Sequence, residues 1–165
     1  MTKTTTSVSK MEEEYSKELL TFNSSKSFDE VVSDFEKQLG RFDETRALSS
    51  RTEFAEYVGQ TEGSSGLMIM ATLEMGALPG LAASATRARQ YLVGNPLIAS
   101  KMASHDALAA LHAPIRVLVY ACNEKTCISY DKSSTTFGRL GSDAILVTAK
   151  DLDQKFEDLA RKSLS

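Results

Sequence analysis

The passage from Arg89 to Pro96 constrains the fold more than any other part of this chain. Alternating side chains lead to Gly94, a residue type that permits a sharp turn. Asn95 and Pro96 are the types favoured at a helix N-cap and at the first helical position. We therefore expect a strand that ends near Val93, then a turn and a helix in direct succession.

The remaining pattern predicts an α+β fold. Ser27, Ser50 and Asp151 each have the spacing of a capping box, and apolar residues follow at helical intervals. Helices are therefore expected to begin at these residues and at Asn95. Strands are expected at 18–23, 66–75, 86–93, 115–122 and 127–131, with a loop at 133–141 and a short edge strand at 144–148. Together they predict an antiparallel β-sheet with helices packed mainly on one face.

Composition narrows the classes of function. The chain has 165 residues with a formal net charge of −3, which disfavours a general nucleic-acid-binding surface. The polar N-terminus lacks a secretory core and no apolar run could cross a bilayer, so a cytoplasmic protein with no membrane partner is expected. Residues 1–14 are predicted to be a disordered tail, and residues 15–165 a single domain.

Several passages in a fixed order resemble domain of unknown function family 302. They are the Gly94-Asn95-Pro96 turn with Met102, the stretch His112 to Tyr120, Ser129-Tyr130-Asp131, and the closing segment from Leu152. The resemblance implies a TATA-box-binding-protein-like fold of order β-α-β-β-β-β-α with an inserted helix, often a dimer, and no agreed activity. Residues 45–66 look like the insertion. Members of the family often carry an acidic residue followed by His after the second strand, where this chain has Glu74 and Met75.

The hairpin brings two cysteines close together. If Glu124 and Lys125 form a two-residue turn, Cys122 lies opposite Cys127, and a cross-strand disulfide is geometrically feasible. A cytosolic location favours two reduced thiols instead. Two cysteines and two distant histidines do not make a zinc site, so no metal and no cofactor is expected.

One face of the sheet is predicted to present a mixture of polar and apolar side chains. Such a mixture suits a small, partly apolar and perhaps anionic organic ligand, or else a homodimer interface filled by methionines. The residues assigned to ligand binding on this face are Met68, Met70, Arg87, Arg89, Tyr91, Arg116 and Tyr120.

Glu74 is the candidate catalytic residue. It ends a strand, and an apolar pocket of methionine side chains would raise its pKa towards that of a general base. The alternative is a solvated carboxylate at a strand end. His105 and His112 are interpreted as structural.

Three functions are therefore open. The first is a small-molecule-binding domain, which we favour. The second is a small cofactor-independent enzyme of the isomerase or lyase type, with Glu74 as the base. The third is a structural homodimer that binds no ligand. No phosphate-binding loop, nucleotide motif or Ser-His-Asp order is present.

Overall fold

The computed structural model describes residues 8–46, 50–78, 80–81, 84–85 and 87–165. Six strands form one sheet in the spatial order β1-β6-β5-β4-β3-β2. The strands are β1 Leu19–Ser24, β2 Gly40–Arg41, β3 Met68–Glu74, β4 Arg87–Gly94, β5 Ile115–Cys122 and β6 Lys125–Asp131. The α-helices are α1 Phe28–Lys37, α2 Arg51–Thr61, α3 Pro96–Ala103, α4 Ser133–Phe137 and α5 Asp143–Leu164. Short 3-10 turns lie at Met75–Ala77, Ala107–Leu111 and Gly138–Leu140.

Helix α1 begins as its sequence predicts. The Ser27 side chain accepts a hydrogen bond from the Glu30 amide, and the Glu30 carboxylate accepts one from the Ser27 amide. Phe28, Val31 and Phe35 follow on the buried side of the helix. The capping box and the helical spacing together orient α1 against the sheet.

Helix α3 also begins as predicted. The Asn95 side chain accepts hydrogen bonds from the amides of Leu97 and Ile98, and Pro96 takes the first helical position. The turn at Gly94 does not use the conformational freedom of glycine, since the φ of Gly94 is not positive. A Cβ there would lie 3.4 Å from the Cβ of Pro114, which is an ordinary van der Waals contact.

The α+β class is confirmed, with one difference in the sheet. All neighbouring strands are antiparallel except β2 and β3, which run parallel. Four helices, α1, α3, α4 and α5, pack on one face and share the main core. The sheet contributes these buried side chains to that core: Ile69, Tyr91, Val93, Ile115, Val117, Val119, Ile128 and Tyr130.

Helix α2 belongs to a second, smaller apolar cluster. Its Tyr57 and Val58 pack against Met68 of β3. Met68 is opposite Gly94, which alternates with the inward-pointing Val93, so Met68 points away from the main core. Tyr57 and Val58 are thus buried in a cluster separate from the main core.

The prediction for the last third of the chain is wrong in its boundaries. Residues 133–141 form α4 and a 3-10 turn rather than a loop, and residues 144–148 belong to α5 rather than to an edge strand. The Ser142 hydroxyl caps the Ile145 amide. Ile145, Ala149 and Leu152 then form one buried stripe at helical spacing, so Asp151 lies within the helix and does not cap it.

A β-bulge interrupts β3. Ile69 pairs with Val93, but the next pair is Ala71 with Leu92, so Met70 is an extra residue. Simple alternation along the predicted strand would place Ile69, Ala71 and Leu73 on one face, but the bulge inverts the alternation beyond Ile69. As a result, Ala71 lies on the opposite face from Ile69.

The β5–β6 hairpin turns one residue earlier than predicted. Asn123 and Glu124 form the turn, with φ of 49° and 62°, and Cys122 is opposite Lys125. Cys127 is therefore opposite Tyr120 rather than Cys122. The offset is two residues, so the predicted division of the hairpin into an apolar and a mixed face is unchanged.

Some predicted segments extend beyond the described residues. Residues 1–7 of the predicted tail, 47–49 of the predicted insertion and Thr86 at the predicted start of β4 are among those not described, as are Pro79, Ala82 and Ala83. Among the helices that the structure describes, none is both long and apolar enough to cross a lipid bilayer.

Candidate functional site

Strand pairing divides the predicted mixed surface between the two faces of the sheet. Tyr91 pairs with a buried valine of β5 and points into the main core, and Arg87 and Arg89 share its face. Arg116 and Tyr120 alternate with that valine and lie on the other face. The prediction of one surface that joins all five side chains is wrong, because directly opposed residues in neighbouring strands share a face.

Glu36 of α1 connects the helix to the side chains of β4. Its carboxylate accepts hydrogen bonds from the Tyr91 hydroxyl at 2.8 Å, from Arg89 at 3.2 Å and from Arg41 at 2.8 Å. Arg89 also contacts Glu74. Burial raises the pKa of Tyr91, so its phenol stays protonated and remains a donor. Arg89 and Tyr91 are thus engaged in holding α1 on the sheet.

Arg87 is engaged in the same way. Its guanidinium donates to Asp29 at 2.7 Å and lies 4.3 Å from the centre of the Phe28 ring. The hydrogen bond from Arg87 lowers the pKa of Asp29, which keeps the carboxylate charged. Of the three arginines assigned to ligand binding, Arg87, Arg89 and Arg116, the first two therefore already have carboxylate partners.

The environment of Glu74 differs from the predicted one. Its side chain is 60% exposed and pairs with Arg89. The methionine pocket expected around it does not form there, since Met68 is buried beside α2 and Met70 occupies the bulge. The apolar surroundings on which the catalytic role of Glu74 was predicted are absent from the described structure, and that role stays a prediction.

The face of the sheet that points away from the main core, called the uncovered face, carries the hairpin residues predicted for it. Ser129 of β6 is on this face, where its hydroxyl is 2.8 Å from that of Thr21 on β1 and 3.4 Å from that of Tyr120 on β5. Cys122 and Cys127 are free thiols on this face, offset by the register described above. Directly opposed cysteines, on which the disulfide hypothesis relied, do not occur.

A cavity of about 390 Å³ lies between α3, α5 and the ends of β4 and β5. This volume is within the range of small-molecule sites. Its walls are almost entirely apolar. The principal lining residues are Met70, Val93, Pro96, Ile98, Ala99, Met102, Ala103, Ala113, Pro114, Ile115, Phe137, Leu152 and Phe156.

Asn95 is the buried polar side chain in this wall, and its hydrogen-bonding groups are already used. Its amide nitrogen donates to Glu62 at 2.6 Å and to the Gly66 carbonyl at 3.0 Å. Its oxygen accepts from the amides of Leu97 and Ile98. Asn95 therefore joins the start of α3 to the end of α2 and offers no free polar group to a bound molecule.

Sequence reasoning placed only Met70 of these lining residues in a site. One feature of the sequence does indicate this cavity. Ala99 and Ala103 are four residues apart on α3, and Ala110 and Ala113 follow, so small side chains stand where a packed helix interface has large ones. Such a run indicates space next to a helix, although it does not show whether another element fills it.

No group of three or more His, Cys, Asp or Glu side chains that could hold a metal ion occurs among the described residues. The two histidines lie in different environments. His105 is exposed beside the end of α3, whereas the His112 ring accepts a hydrogen bond from Arg139 at 2.9 Å.

Comparison with known proteins agrees with this architecture. A family model described as "Domain of unknown function DUF302" matches residues 43–162. The crystal structure of an uncharacterized conserved protein DUF302 from Bacillus stearothermophilus has a TM-score of 0.63 and 16% sequence identity to this chain, and the match covers 87% of this chain and 96% of that one. At this identity the likeness is one of fold. No curated protein matches the chain.

Proposed function

Given that the chain belongs to the DUF302 family, whose name assigns no activity, we propose that it binds a small, mainly apolar organic molecule in the cavity beneath α3. The observation that carries this proposal is the cavity itself. A concave, half-open apolar surface of about 390 Å³ leaves its lining side chains without apolar partners on one side, and a ligand of matching shape would supply them.

The chemistry of the walls supports an apolar ligand rather than an anionic one. Arg87 and Arg89 point to α1 and are paired with carboxylates, and neither they nor Arg116 line this cavity. The Asn95 amide at the cavity wall is fully hydrogen-bonded. A charged group placed in this cavity would lose its hydration without a partner, which is strongly unfavourable.

A neutral apolar dye gives a direct test. Nile red should bind the wild-type protein with a saturable rise and blue shift in its fluorescence. Ala99→Phe places a ring in the cavity, and we expect it to weaken binding by about tenfold or more. Native mass spectrometry of freshly purified protein should also show a bound organic mass that Ala99→Phe removes.

The matched control is Leu97→Phe. Leu97 lies on the same helix but is exposed and does not line the cavity, so this variant should bind the dye as the wild type does. Equal titration curves for wild type and Ala99→Phe, with both proteins folded by circular dichroism, would refute the proposal.

No observation favours the other two functions over this one. The general-base hypothesis requires an apolar environment for Glu74, which is instead exposed and paired with Arg89. The homodimer hypothesis stays a prediction, and sedimentation analysis of the purified protein tests it.

A further inference from the structure

We propose that a second, polar pocket binds a small monoanionic carboxylate, with Arg116 as the residue that anchors it. This pocket goes beyond the proposed function, because it shares only the segment Ala113–Ile115 with the apolar cavity and, unlike that cavity, is lined by charged side chains.

The pocket has a volume of about 160 Å³, which limits its occupant to a molecule of a few heavy atoms. It forms where the residues before β1, the loop before β5 and the end of β6 meet. Its polar lining side chains are Lys17, His112, Arg116, Asp131 and Thr136.

The charges around the pocket do not cancel. Lys17 and Asp131 neutralise each other through a salt bridge of 2.5 Å. Arg116, by contrast, makes no hydrogen bond or salt bridge to any residue in the described part of the chain. Every other arginine side chain of the sheet that the structure describes, namely Arg41, Arg87 and Arg89, has a carboxylate partner. An unpaired guanidinium at a concave surface matches a carboxylate, which accepts two parallel hydrogen bonds from it.

His112 supplies a further donor. An arginine can only donate, so the 2.9 Å contact from Arg139 makes the His112 Nε2 an acceptor. Burial, followed by the charge of Arg139, lowers the pKa of His112, and the ring is neutral with its proton on Nδ1. No other hydrogen bond of this ring occurs within the described residues, so Nδ1–H is available to an occupant of the pocket.

The sign and number of charges favour a monoanion. With Lys17 and Asp131 paired, Arg116 leaves one net positive charge. A carboxylate balances that charge. A phosphate dianion would add a second negative charge beside Asp131, where like charges repel. We therefore expect acetate, the smallest stable alkyl carboxylate, to bind better than inorganic phosphate.

The test is an NMR titration of the full chain with sodium acetate, which replaces sodium chloride at a constant ionic strength of about 0.15 M. Acetate should shift the Arg116 and His112 signals saturably, with a Kd on the order of millimolar. Arg116→Gln should weaken binding by at least about tenfold. Arg87→Gln makes the same change on the opposite face of the sheet and should bind acetate as the wild type does.

Three results would overturn the proposal: no saturable shift in the wild type, an equal Kd in wild type and Arg116→Gln, or tighter binding of inorganic phosphate than of acetate. Arg116 is exposed and forms no contact that the fold requires, so its variant should keep the wild-type spectrum elsewhere. Ala99→Phe, which fills the apolar cavity, should leave acetate binding intact. Failure of one site is therefore distinguishable from failure of the other.

Discussion

At the scale of single residues, Tyr91 has the most demanding environment in the sheet. The side chain is fully buried, and its hydroxyl meets a carboxylate that also contacts two arginines. A half-buried carboxylate such as that of Glu36 loses part of its hydration, which hydrogen bonds and paired cations must replace. Glu36 satisfies this requirement through donors from β2 and β4. One residue of α1 therefore holds the helix to both strands.

Replacement of Tyr91 by Phe should lower the free energy of unfolding by about 1.5–3 kcal/mol, because it removes a hydrogen bond to a charged acceptor. Urea unfolding followed by circular dichroism measures this change. Tyr120→Phe is the matched control. The Tyr120 hydroxyl lies 3.4 Å from Ser129 on the uncovered face, and its loss should change stability by less than about 0.5 kcal/mol. Similar losses for the two variants would contradict this account of Glu36.

The sequence predicted that Arg87, Arg89 and Tyr91 point the same way, and they do. The sequence could not show whether this shared face is the one covered by the helices or the opposite one. Alternation along a strand defines two faces but does not label them, and the acidic partners Asp29 and Glu36 lie more than fifty residues earlier in the chain. Their role became visible only once α1 was placed over β4.

At the scale of elements, α5 shows how a strong local signal can mislead. Asp151 has capping-box spacing, yet Ser142 caps the helix nine residues earlier. The apolar residues that follow Asp151 at helical intervals, Leu152, Phe156 and Leu159, are indeed buried. The run from Ala144 to Thr148 is rich in β-branched residues, which favours a strand, but packing against the core outweighs that weak preference.

Two alanine variants test where α5 begins. Ser142→Ala removes the acceptor for the Ile145 amide and should cost about 1 kcal/mol of stability. Asp151→Ala is a change in the exposed middle of the helix and should be neutral or slightly stabilising, because alanine has the higher helix propensity. Chemical denaturation of both variants measures the difference. The reverse order of effects would place the helix start at residue 151.

The hairpin is a second case at this scale. Its two strands and their faces were predicted correctly, whereas the turn was placed one residue late. Asn is among the few residues that adopt positive φ readily, and Asn123 is the first turn residue. Glu124, the second, is not such a residue, and for that reason the pattern did not identify the turn.

At the scale of the whole molecule, side-chain contacts hold the residues before β1 to the segment from Asp131 to Arg139. Arg139 contacts Glu13 at 3.2 Å, lies 4.5 Å from the centre of the Tyr15 ring and donates to His112. Lys17 pairs with Asp131 and Glu18 with Lys132. Arg139 makes the largest number of these contacts, and its side chain is only 13% exposed.

This arrangement predicts a pH-dependent stability. Burial and the nearby Arg139 lower the pKa of His112 below its ordinary 6.5. The unfolded chain therefore takes up a proton at His112 before the folded protein does. Stability from this residue is present above about pH 6.5 and declines as the pH falls towards the lowered folded value.

Thermal unfolding at about pH 7.5 and about pH 5.5 measures the effect. His112→Gln keeps an acceptor for Arg139 but does not titrate, so its Tm should fall less on acidification, by a margin on the order of 2 °C. The control is His105→Gln at the other histidine, which is exposed and should behave as the wild type does. An unchanged pH dependence in His112→Gln would rule out His112 as the source.

The apolar cavity is the part of the site least accessible from the sequence. A cavity is a volume that no side chain occupies, and it depends on how closely α3 and α5 approach each other across Phe137 and Phe156. Short-range patterns predict which faces are apolar. They do not fix the distance between two helices that are about fifty residues apart in the chain.

The bulge in β3 has a consequence for how related sequences are aligned. Because of one extra residue, Glu74 lies on the same face as its partner Arg89, and Leu73 on the uncovered face. A relative with an unbulged strand has one residue fewer between the partners of Val93 and Leu92. Its residues correspond to those of this chain on both sides of Met70 only when a single gap is placed at the bulge. Without that gap, the rest of the strand is matched one residue out of step, and residues of the covered face are set against residues of the uncovered face.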